Sequence, residues 1–461
     1  MKIEYKKIPN GLDDIAKHLG LDPKKTLFMH STSFDENDNK NMSRKAINKG
    51  RMLYAEIISY VSNKKNGSKA AICYYNDDFI DFYDEISFLN KENLIKVYDG
   101  EKLNYPYNSV SKMLNRKLKE DENLRKDLEG FTIVSSYLSD EDVESAKIIN
   151  GKTLMIPKEQ VKFNSKYYFR KLGKEREYDI APGLEFIGLK SFNIDCLREK
   201  YPTSNLWIKL ESQSGGSGNL LFNNIESITD EFIKDEIQKL AGKIYEKDYI
   251  NNVMPFIAEI DISSLPETKI IENIGVNAII NPNKIIIIGG TSQTTKNGKY
   301  IGSCVSENTY KYLPIAEETA AKAFKEIAKE GYHGFMTIDV LVVKEKNNLK
   351  AYNIDPNARF SAGTMLLKNI HYADEKNSIK TYGISYANLI YSEKGNTLNR
   401  VKRATKEIMY NSSTGYGIIP ALISDLHPIE KNKYFLKSIL VEKDFQTVNK
   451  EYEKYKEKVR K

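Results

Sequence analysis

The sequence predicts a mixed α/β and α+β fold in two successive parts: an N-terminal part built on a doubly wound parallel sheet, and a longer part of antiparallel strand pairs interspersed with helices. Three features carry this expectation. From Thr26 to Pro157, short apolar runs alternate with helix-like stretches, the pattern of parallel strands joined by crossover helices. Between Leu206 and Phe222, two strand-like runs flank a loop of small residues. From Phe335 to Thr364, a second pair of strand-like runs carries acidic residues inside apolar surroundings.

In the first part, Thr26–His30 and Ala70–Tyr75 read as strands with the amphipathic helix Arg44–Val61 between them. Thr132–Ser136 and Thr153–Ile156 read as later strands, separated by helices over Ser111–Leu128 and Asp140–Ile149. The first strand runs into Ser31-Thr-Ser-Phe-Asp35, which lacks the glycine-rich fingerprint of dinucleotide-binding folds. This part is therefore read as one wall of a cleft.

Asn164–Leu172 follows as a helix, and Ala181-Pro-Gly183 breaks the chain before a second lobe. There Leu206–Leu210 alternates as a strand, Glu211–Gly218 forms a loop containing Gly215, Gly216 and Gly218, and Asn219–Phe222 resumes as a strand. With no side chains in the way, such a loop can close its backbone N–H groups over phosphate oxygens, and Lys209 adds positive charge. A Ser/Gly loop is more often a plain turn, and no Gly-Lys-Ser/Thr opens a helix here as in a P-loop. Further on, Thr229–Lys247 reads as a helix, and Asn252–Ile257, Ile270–Ile280 and Lys284–Ile288 as strands, the last two joined at Asn281-Pro-Asn283. Ser292–Gly302 reads as a polar loop, Ile315–Gly331 as a helix closed by glycine and Ser378–Tyr391 as another helix. Arg400–Pro428 reads as strand-rich and Asp444–Lys461 as a charged terminal helix.

The stretch from Phe335 to Thr364 is where the chemistry is expected. Met336–Val343 and Leu349–Asp355 are apolar or β-branched runs joined by Lys344–Asn348, the signature of an antiparallel hairpin. With the turn centred on Asn347, Asp339 faces Asp355. Asn357 then follows Asp355 at the two-residue period that keeps side chains on one face. Two carboxylates and an amide oxygen, with no thiolate or imidazole, suit Mg²⁺ and leave room for water and phosphate. The plain alternative is a pair of solvent-facing carboxylates beside a turn. Against it, Asp339 sits among Thr337, Ile338, Val340 and Leu341, where an uncompensated carboxylate is costly to bury.

Composition narrows the partners. In 461 residues, 70 Lys and Arg are interleaved with 63 Asp and Glu, so the net charge of +7 is a modest excess without a basic block, and no nucleic-acid partner is expected. The start, MKIEYKKIPN, lacks a signal-peptide core and no run approaches the ~18 apolar residues of a membrane span, so a cytoplasmic protein with no membrane partner is expected. Cys73, Cys196 and Cys304 are scattered, as in a reducing compartment. His18, His30, His333, His371 and His427 have no zinc-motif spacing and read as structural, with His30 at a strand end kept as a weak site candidate.

In chain order there are a lysine at the head of a helix, a strand lysine before a glycine-rich hairpin, a hinge, and then Ile-Asp-Val followed by Asn-Ile-Asp-Pro-Asn-Ala-Arg. Together, over roughly Asn164–Ile390, these resemble the ATP-grasp superfamily, and the N-terminal part is similar to the Rossmann-like domain that precedes such enzymes. The resemblance implies ATP and Mg²⁺ as cofactors and a division into 1–157, an ATP-grasp domain over 158–400 (lid about 185–250, metal-bearing subdomain about 251–400) and a completing segment over 401–461. Carried over residue by residue, it gives Lys166 and Lys209 as phosphate-binding lysines and Gly215, Gly216 and Gly218 as the lid. It makes the Pro255, Phe256 and Ile257 backbone the adenine hinge, with Glu259 or Asp261 on the ribose. Asp339, Asp355 and Asn357 become metal ligands, and Arg359 faces the transferred phosphate or the acyl phosphate, with Lys209 as the second catalytic residue. The sequence departs from the family's Glu-x-Asn-Pro-Arg pattern in having Asp355 for glutamate and Ala358 for proline, and no clear glutamate opens the hinge.

Ser292-Gln293 and Tyr300–Ser303 are similar to the peptide-ligase branch of the superfamily. The implied activity is ADP-forming ligation of a small carboxylic acid or amino acid to an amine or amino-acid acceptor through an acyl phosphate. The alternatives are transfer to the thiol of a carrier protein and a non-catalytic nucleotide-binding subunit. No nucleophilic side chain is required, which agrees with the lack of a Ser or Cys constellation.

Overall fold

The structure is a computed structural model that describes residues 1–29, 67–74, 91–98, 110–136, 138–211, 218–242, 247–296, 299–391, 397–423 and 433–460. The chain opens with β1 (Lys2–Tyr5), which pairs in parallel with Lys284–Ile287, far along the sequence. Next come β2 (Thr26–Met29), β3 (Lys69–Tyr74), β4 (Leu94–Tyr98), β5 (Thr132–Ser135) and β6 (Lys152–Thr153). They form a five-stranded sheet, parallel at every pairing, in the order β4-β3-β2-β5-β6. All four residues of β2 and of β5 are buried, as in strands covered on both faces. The chain enters this sheet at its middle strand, β2, and winds outwards first to one side and then to the other, so the doubly wound parallel sheet expected from the alternation is present. The expected helix Arg44–Val61 and the candidate His30 lie outside the described residues. The single helix expected over Ser111–Leu128 is two, Val110–Glu120 and Glu122–Asp127, because the Asp121 side chain caps the second by accepting from the Leu124 amide.

The second sheet is antiparallel: β7 (Gly183–Ile187), β8 (Leu206–Leu210), β9 (Asn219–Phe222) and β10 (Pro255–Ile260) lie in the order β7-β10-β8-β9. The period-two pattern sorts its faces. Leu206, Ile208, Leu210, Phe256, Ala258 and Ile260 share a core with Ile233 and Ile237 of the helix Asp230–Ala241. Trp207, Lys209, Ile257 and Glu259 alternate onto the opposite face.

The third sheet contains β11 (Thr268–Asn281), β12 (Lys284–Lys296), β13 (Lys299–Val305), β14 (Gly334–Glu345), β15 (Asn348–Asn357), β16 (Tyr382–Tyr391), β17 (Gly417–Ile423) and β18 (Lys433–Glu442). Their order is β15-β14-β11-β12-β13-β16-β18-β17, with β1 alongside β12. The sheet thus draws strands from both ends of the chain. The helix Glu307–Lys329 covers one face, packing Ala316, Ala320, Phe324 and Ile327 against Ile274, Val276, Met336, Ile338 and Val340. Leu366, Leu367 and Ile370 of the helix Ala362–Asn377 belong to a separate core, shared with Val448 and Tyr452 of Phe445–Arg460.

Three expectations are corrected here. Ser292–Gly302 is not simply a polar loop: β12 runs on to Lys296 and β13 pairs back, Gln293 opposite Ser303. Its polarity comes from lining a polar face. Tyr382–Tyr391 is a strand and not part of a helix, because its tyrosines and isoleucines suit a strand paired on both sides, Gly302 and Ser438 both flanking Tyr386. The segment from Arg400 begins in the helix Thr397–Thr405 and reaches a strand only at Gly417. Among the described residues no helix is long and apolar enough to cross a membrane.

Candidate active site

The acidic hairpin forms with the expected facing of Asp339 and Asp355, by a route the sequence does not display. β14 and β15 pair from Glu345 and Asn348 outward, so the turn is Lys346-Asn347, with Lys346 in the left-handed region at φ 54. A regular ladder from that turn would place Ile354 opposite Asp339. Instead the pairing steps from Val340–Asn353 to Asp339–Asp355, leaving Ile354 as the extra residue of a β-bulge. Thr337 then faces Asn357, and Asp339, Asp355 and Asn357 come together.

Asp339 is the most constrained of the three. Its Oδ1 is buried without a hydrogen-bond partner, and Asn357 Nδ2 lies 3.4 Å from its Oδ2. Burial, followed by the neighbouring Asp355 carboxylate, pushes Asp339 up to about 6. Across the sheet its register partner is Gly275, where a Cβ would stand 3.3 Å from that orphaned oxygen. Asp355 behaves oppositely. Burial works against its charge, but Lys166 and Lys209 outweigh that and hold it below the usual carboxylate range. Lys209 Nζ is 3.5 Å from Asp355 Oδ1 and Lys166 Nζ is 4.0 Å from Asp355 Oδ2.

These residues fit a hard divalent cation in part. A buried Asp339 oxygen without a hydrogen bond, a glycine-opened niche and a second carboxylate provide oxygen ligands, and two carboxylates with phosphate and water are enough for Mg²⁺. Among the described residues there is no cluster of three or more His, Cys, Asp and Glu, so a metal here would depend on phosphate and water ligands. Asn357 is the weaker member. Its Oδ1 accepts from Arg359 Nη2 at 2.6 Å, so it would ligate only after its amide turned over.

The two lysines come from different elements. Lys209 lies on the inner face of β8, about 5% exposed, and donates to Glu259 Oε1 at 2.8 Å. Burial opposes its charge, but Asp355 and Glu259 prevail and raise its pKa above the ordinary lysine value. Lys166 is the first residue of the helix Lys166–Arg176, which Ser165 caps. The first two amides of that helix, Lys166 N and Tyr167 N, donate to Glu211, the last residue before the Ser/Gly loop. A carboxylate at a helix N-terminus is a favourable arrangement, and this one ties the end of β8 to the helix carrying Lys166.

Other carried-over positions fall differently. Glu259 is 3% exposed and its second oxygen accepts from Arg170 Nη1 at 2.7 Å, so both oxygens are engaged in holding cations. Asp261 accepts from Ser263 N at 3.1 Å and Ser263 Oγ at 2.8 Å, capping a short 3₁₀ turn. Neither is arranged as a free ribose contact. Pro255, Phe256 and Ile257, expected as the adenine hinge, lie in β10, an interior strand with Phe256 and Ile257 paired to both β7 and β8. Gly215 and Gly216 lie outside the described residues, while Gly218 closes the strand pair by accepting from Leu210 N. Gln293 and Ser303 pair across β12 and β13, with Tyr300 Oη 2.6 Å from Ser303 Oγ, but Ser292 bonds Thr309 of the covering helix. His333 and His371 bond backbone groups of Leu19 and Ile8, as structural histidines do.

Arg170, Glu211, Gln160 and Asn164 escaped the sequence reading. A partial signal existed for Arg170, which lies one helical turn from Lys166 and so shares its face. Fully buried, it also bonds Glu185 and the Ala181 carbonyl, linking three elements.

Neither a protein-family model nor a curated protein matches the sequence. Solved structures do. N5-carboxyaminoimidazole synthase from Aspergillus clavatus, in complex with ADP and 5-aminoimidazole ribonucleotide, is 10% identical, with a TM-score of 0.51 over 95% of this chain and 100% of that one. Biotin carboxylase from Campylobacter jejuni, in complex with beta-gamma-ATP, is 15% identical, with a TM-score of 0.53 over 92% of this chain and 89% of that one. The biotin carboxylase domain of the 2-oxoglutarate carboxylase of Hydrogenobacter thermophilus, with MgADP, ADP and bicarbonate, is 12% identical, with a TM-score of 0.53 over 94% of this chain and 89% of that one. At such identities the likeness shows the fold and nothing finer.

Proposed function

From the ATP-grasp fold that the chain shares with these structures, we propose that it is an ATP-dependent ligase joining a small carboxylic acid or amino acid to an amine. The observation that carries the reading is convergence. Lys166 from a helix, Lys209 from the second sheet, and Asp339, Asp355, Asn357 and Arg359 from the hairpin and the turn after it all meet at Asp355 and its neighbours. ATP and ADP in the structural neighbours support the same reading. On it, residues 158–400 form the nucleotide-clasping unit, 1–157 precede it and 401–461 complete it.

The chemistry needs no side-chain nucleophile. A carboxylate oxygen of the acid attacks the γ-phosphorus of ATP, the bond to the β-phosphate oxygen breaks, and ADP leaves. The amine nitrogen then attacks the acyl carbon, inorganic phosphate departs with the bonding pair, and the nitrogen loses a proton. Both steps crowd negative charge together, so positioning and charge neutralisation do most of the work. Asp339 and Asp355, with Asn357 beside them, would hold Mg²⁺, whose positive charge would offset the negative charge of the phosphates. Lys166 and Lys209 neutralise the triphosphate, and Arg359 faces the phosphoryl group as it moves. The polar pair Gln293 and Ser303 supports the peptide-ligase branch, in which the acceptor is an amino acid.

ADP release measured across a panel of carboxylic acids crossed with amino acids tests the proposal. A matched pair should release ADP and phosphate in equal amounts and yield the amide by mass. A protein that binds ATP yet releases no ADP with any pair would overturn it.

A further inference from the structure

The turn that carries Arg359 is held by residues of the preceding helix, Pro157–Asn164, to which the proposed chemistry assigns no part. Asn164 Oδ1 accepts two hydrogen bonds at once, from Ala358 N at 2.9 Å and from Arg359 Nη1 at 2.8 Å. Its Nδ2 donates to Gln160 O at 3.2 Å and lies 3.5 Å from Ala358 O. Gln160, one turn earlier and buried, donates from Nε2 to Ala358 O at 3.1 Å and accepts from Leu138 N at 2.6 Å. On the far side of the guanidinium, Asn357 Oδ1 accepts from Arg359 Nη2 at 2.6 Å.

Two features of this arrangement matter. The arginine is gripped by side chains that are themselves tied down, which confines its orientation more than a single flexible partner could. The acceptors of these two bonds, Asn164 and Asn357, are both amides. A carboxylate would hold a guanidinium at least as firmly, but it would also cancel the charge that an incoming phosphate needs. An amide oxygen orients without cancelling.

We propose that Asn164 is a positioning residue: it aims Arg359 at the transferred phosphoryl group through a neutral acceptor, with Gln160 locking the same turn. Asn164 is followed at once by Ser165 and Lys166, so one short tract sets the position of both a phosphate-binding lysine and the arginine. The inference rests on the ligase reading, because only there does the aim of Arg359 matter.

The test uses Asn164→Ala and Asn164→Asp in the full-length protein, each with Arg359 intact and with Arg359→Ala. With a matched acid and amine, Asn164→Ala is expected to lower kcat by about 10- to 100-fold while KM for ATP changes less than about threefold. In the Arg359→Ala background the same change should cost less than about twofold, since a residue acting only through Arg359 has nothing left to position. Equal losses in both backgrounds, or a wild-type kcat in Asn164→Ala, would overturn the inference. Asn164→Asp keeps the acceptor while placing a carboxylate on the guanidinium, so it should hold the turn but not restore kcat.

Hydrogen exchange across residues 355–361 reads the hold directly, without turnover. Asn164→Ala should speed exchange there by about tenfold or more, and Asn164→Asp should leave it near wild type. Unchanged exchange in Asn164→Ala overturns the inference. If no pair of substrates yields ADP with the wild-type protein, the ligase reading falls by itself, and the exchange data still decide whether Asn164 holds the turn.

Discussion

Replacing Asp355 with Asn separates the metal-binding role proposed for the site from its proposed phosphate-binding role. The Asp355 carboxylate lies 3.5 Å from Lys209 and 4.0 Å from Lys166, and Glu259 holds Lys209 at 2.8 Å from the other side. Asn has nearly the same shape, and Lys209 keeps Glu259. No buried charge is stranded, so the stability change should stay within about 1 kcal/mol. On the proposed function, activity should respond far more, because one of two carboxylates leaves the proposed cation site. ADP release is expected to fall by at least ~100-fold, about 2.7 kcal/mol of transition-state stabilisation. The lysines, freed of a competing carboxylate, should bind metal-free ATP at least as tightly as in the wild type. The ratio of ATP affinities with and without Mg²⁺ should therefore drop by roughly tenfold, about 1.4 kcal/mol. Three measurements decide the matter: thermal unfolding, ADP release, and ATP titrations in Mg²⁺ and in EDTA. Near-wild-type ADP release, or an unaltered response to Mg²⁺, would refute the reasoning. Asn357→Ala should match the loss of turnover and leave metal-free binding unchanged.

The protein has one tryptophan, and Trp207 lies two residues before Lys209 on the inner face of β8, so ATP should change its emission and Trp207→Phe should abolish that signal. Gly275→Val would press a branched side chain into the niche where a Cβ already stands 3.2 Å from Thr337 Cγ2 and 3.3 Å from Asp339 Oδ1. Overpacking of that kind should cost about 1–3 kcal/mol in unfolding measurements and weaken Mg²⁺-dependent ATP binding, whereas unaltered Mg²⁺ dependence would show that the niche is idle. Asp142, fully buried, is pushed by burial from 3.8 to about 6, so the folded state holds its proton more tightly than the unfolded chain and stability from this group falls as pH rises from about 4 to 6. Unfolding of the wild type and Asp142→Asn across that window should shift in favour of the variant by something on the order of 1–3 kcal/mol, and a constant difference would refute the assignment.

The parts of the fold that can be read from the sequence are those where one physical pressure acts alone. β2 and β5 are buried on both faces, and it is the alternation of such short runs with helix-like stretches that announces a parallel sheet. Where burial and site-lining share a strand, the signal inverts. Ser292–Lys296 reads as a loop because alternate residues face a polar site, although its backbone is paired with Lys299–Cys304. The hairpin is more instructive. Centring its turn on Asn347 gives the right partner for Asp339, yet the turn is Lys346-Asn347 and the pairing is restored by the extra residue Ile354. Two displacements cancel. A bulge of this kind leaves no mark in the sequence, because Ile354 is as good a strand residue as its neighbours.

The site divides along the same line. Asp339 stands out in the sequence because a charge inside an apolar strand implies a compensating partner, Asp355 because the hairpin sets it opposite, Lys209 because it lies in a strand before a loop of small residues, and Lys166 only through the family resemblance. What the sequence cannot say is which charge compensates which. Glu259 suits a ribose when judged by its position along the chain, but its place in β10, between β7 and β8, puts it within reach of both Lys209 and Arg170. Register across the sheet decides the partner. Arg170 in turn comes from the helix that begins with Lys166, and Glu211 closes the circuit by bonding that helix's first amides. The hydrogen bonds of Glu211 to that helix and of Glu259 to Lys209 and Arg170 each join residues at least 44 positions apart in the chain, a separation at which side-chain periodicity carries no information. Such a circuit can be foreseen only by requiring that every buried charge in a proposed fold find its opposite, and here that requirement assigns Glu259 to the cations before any ligand is considered.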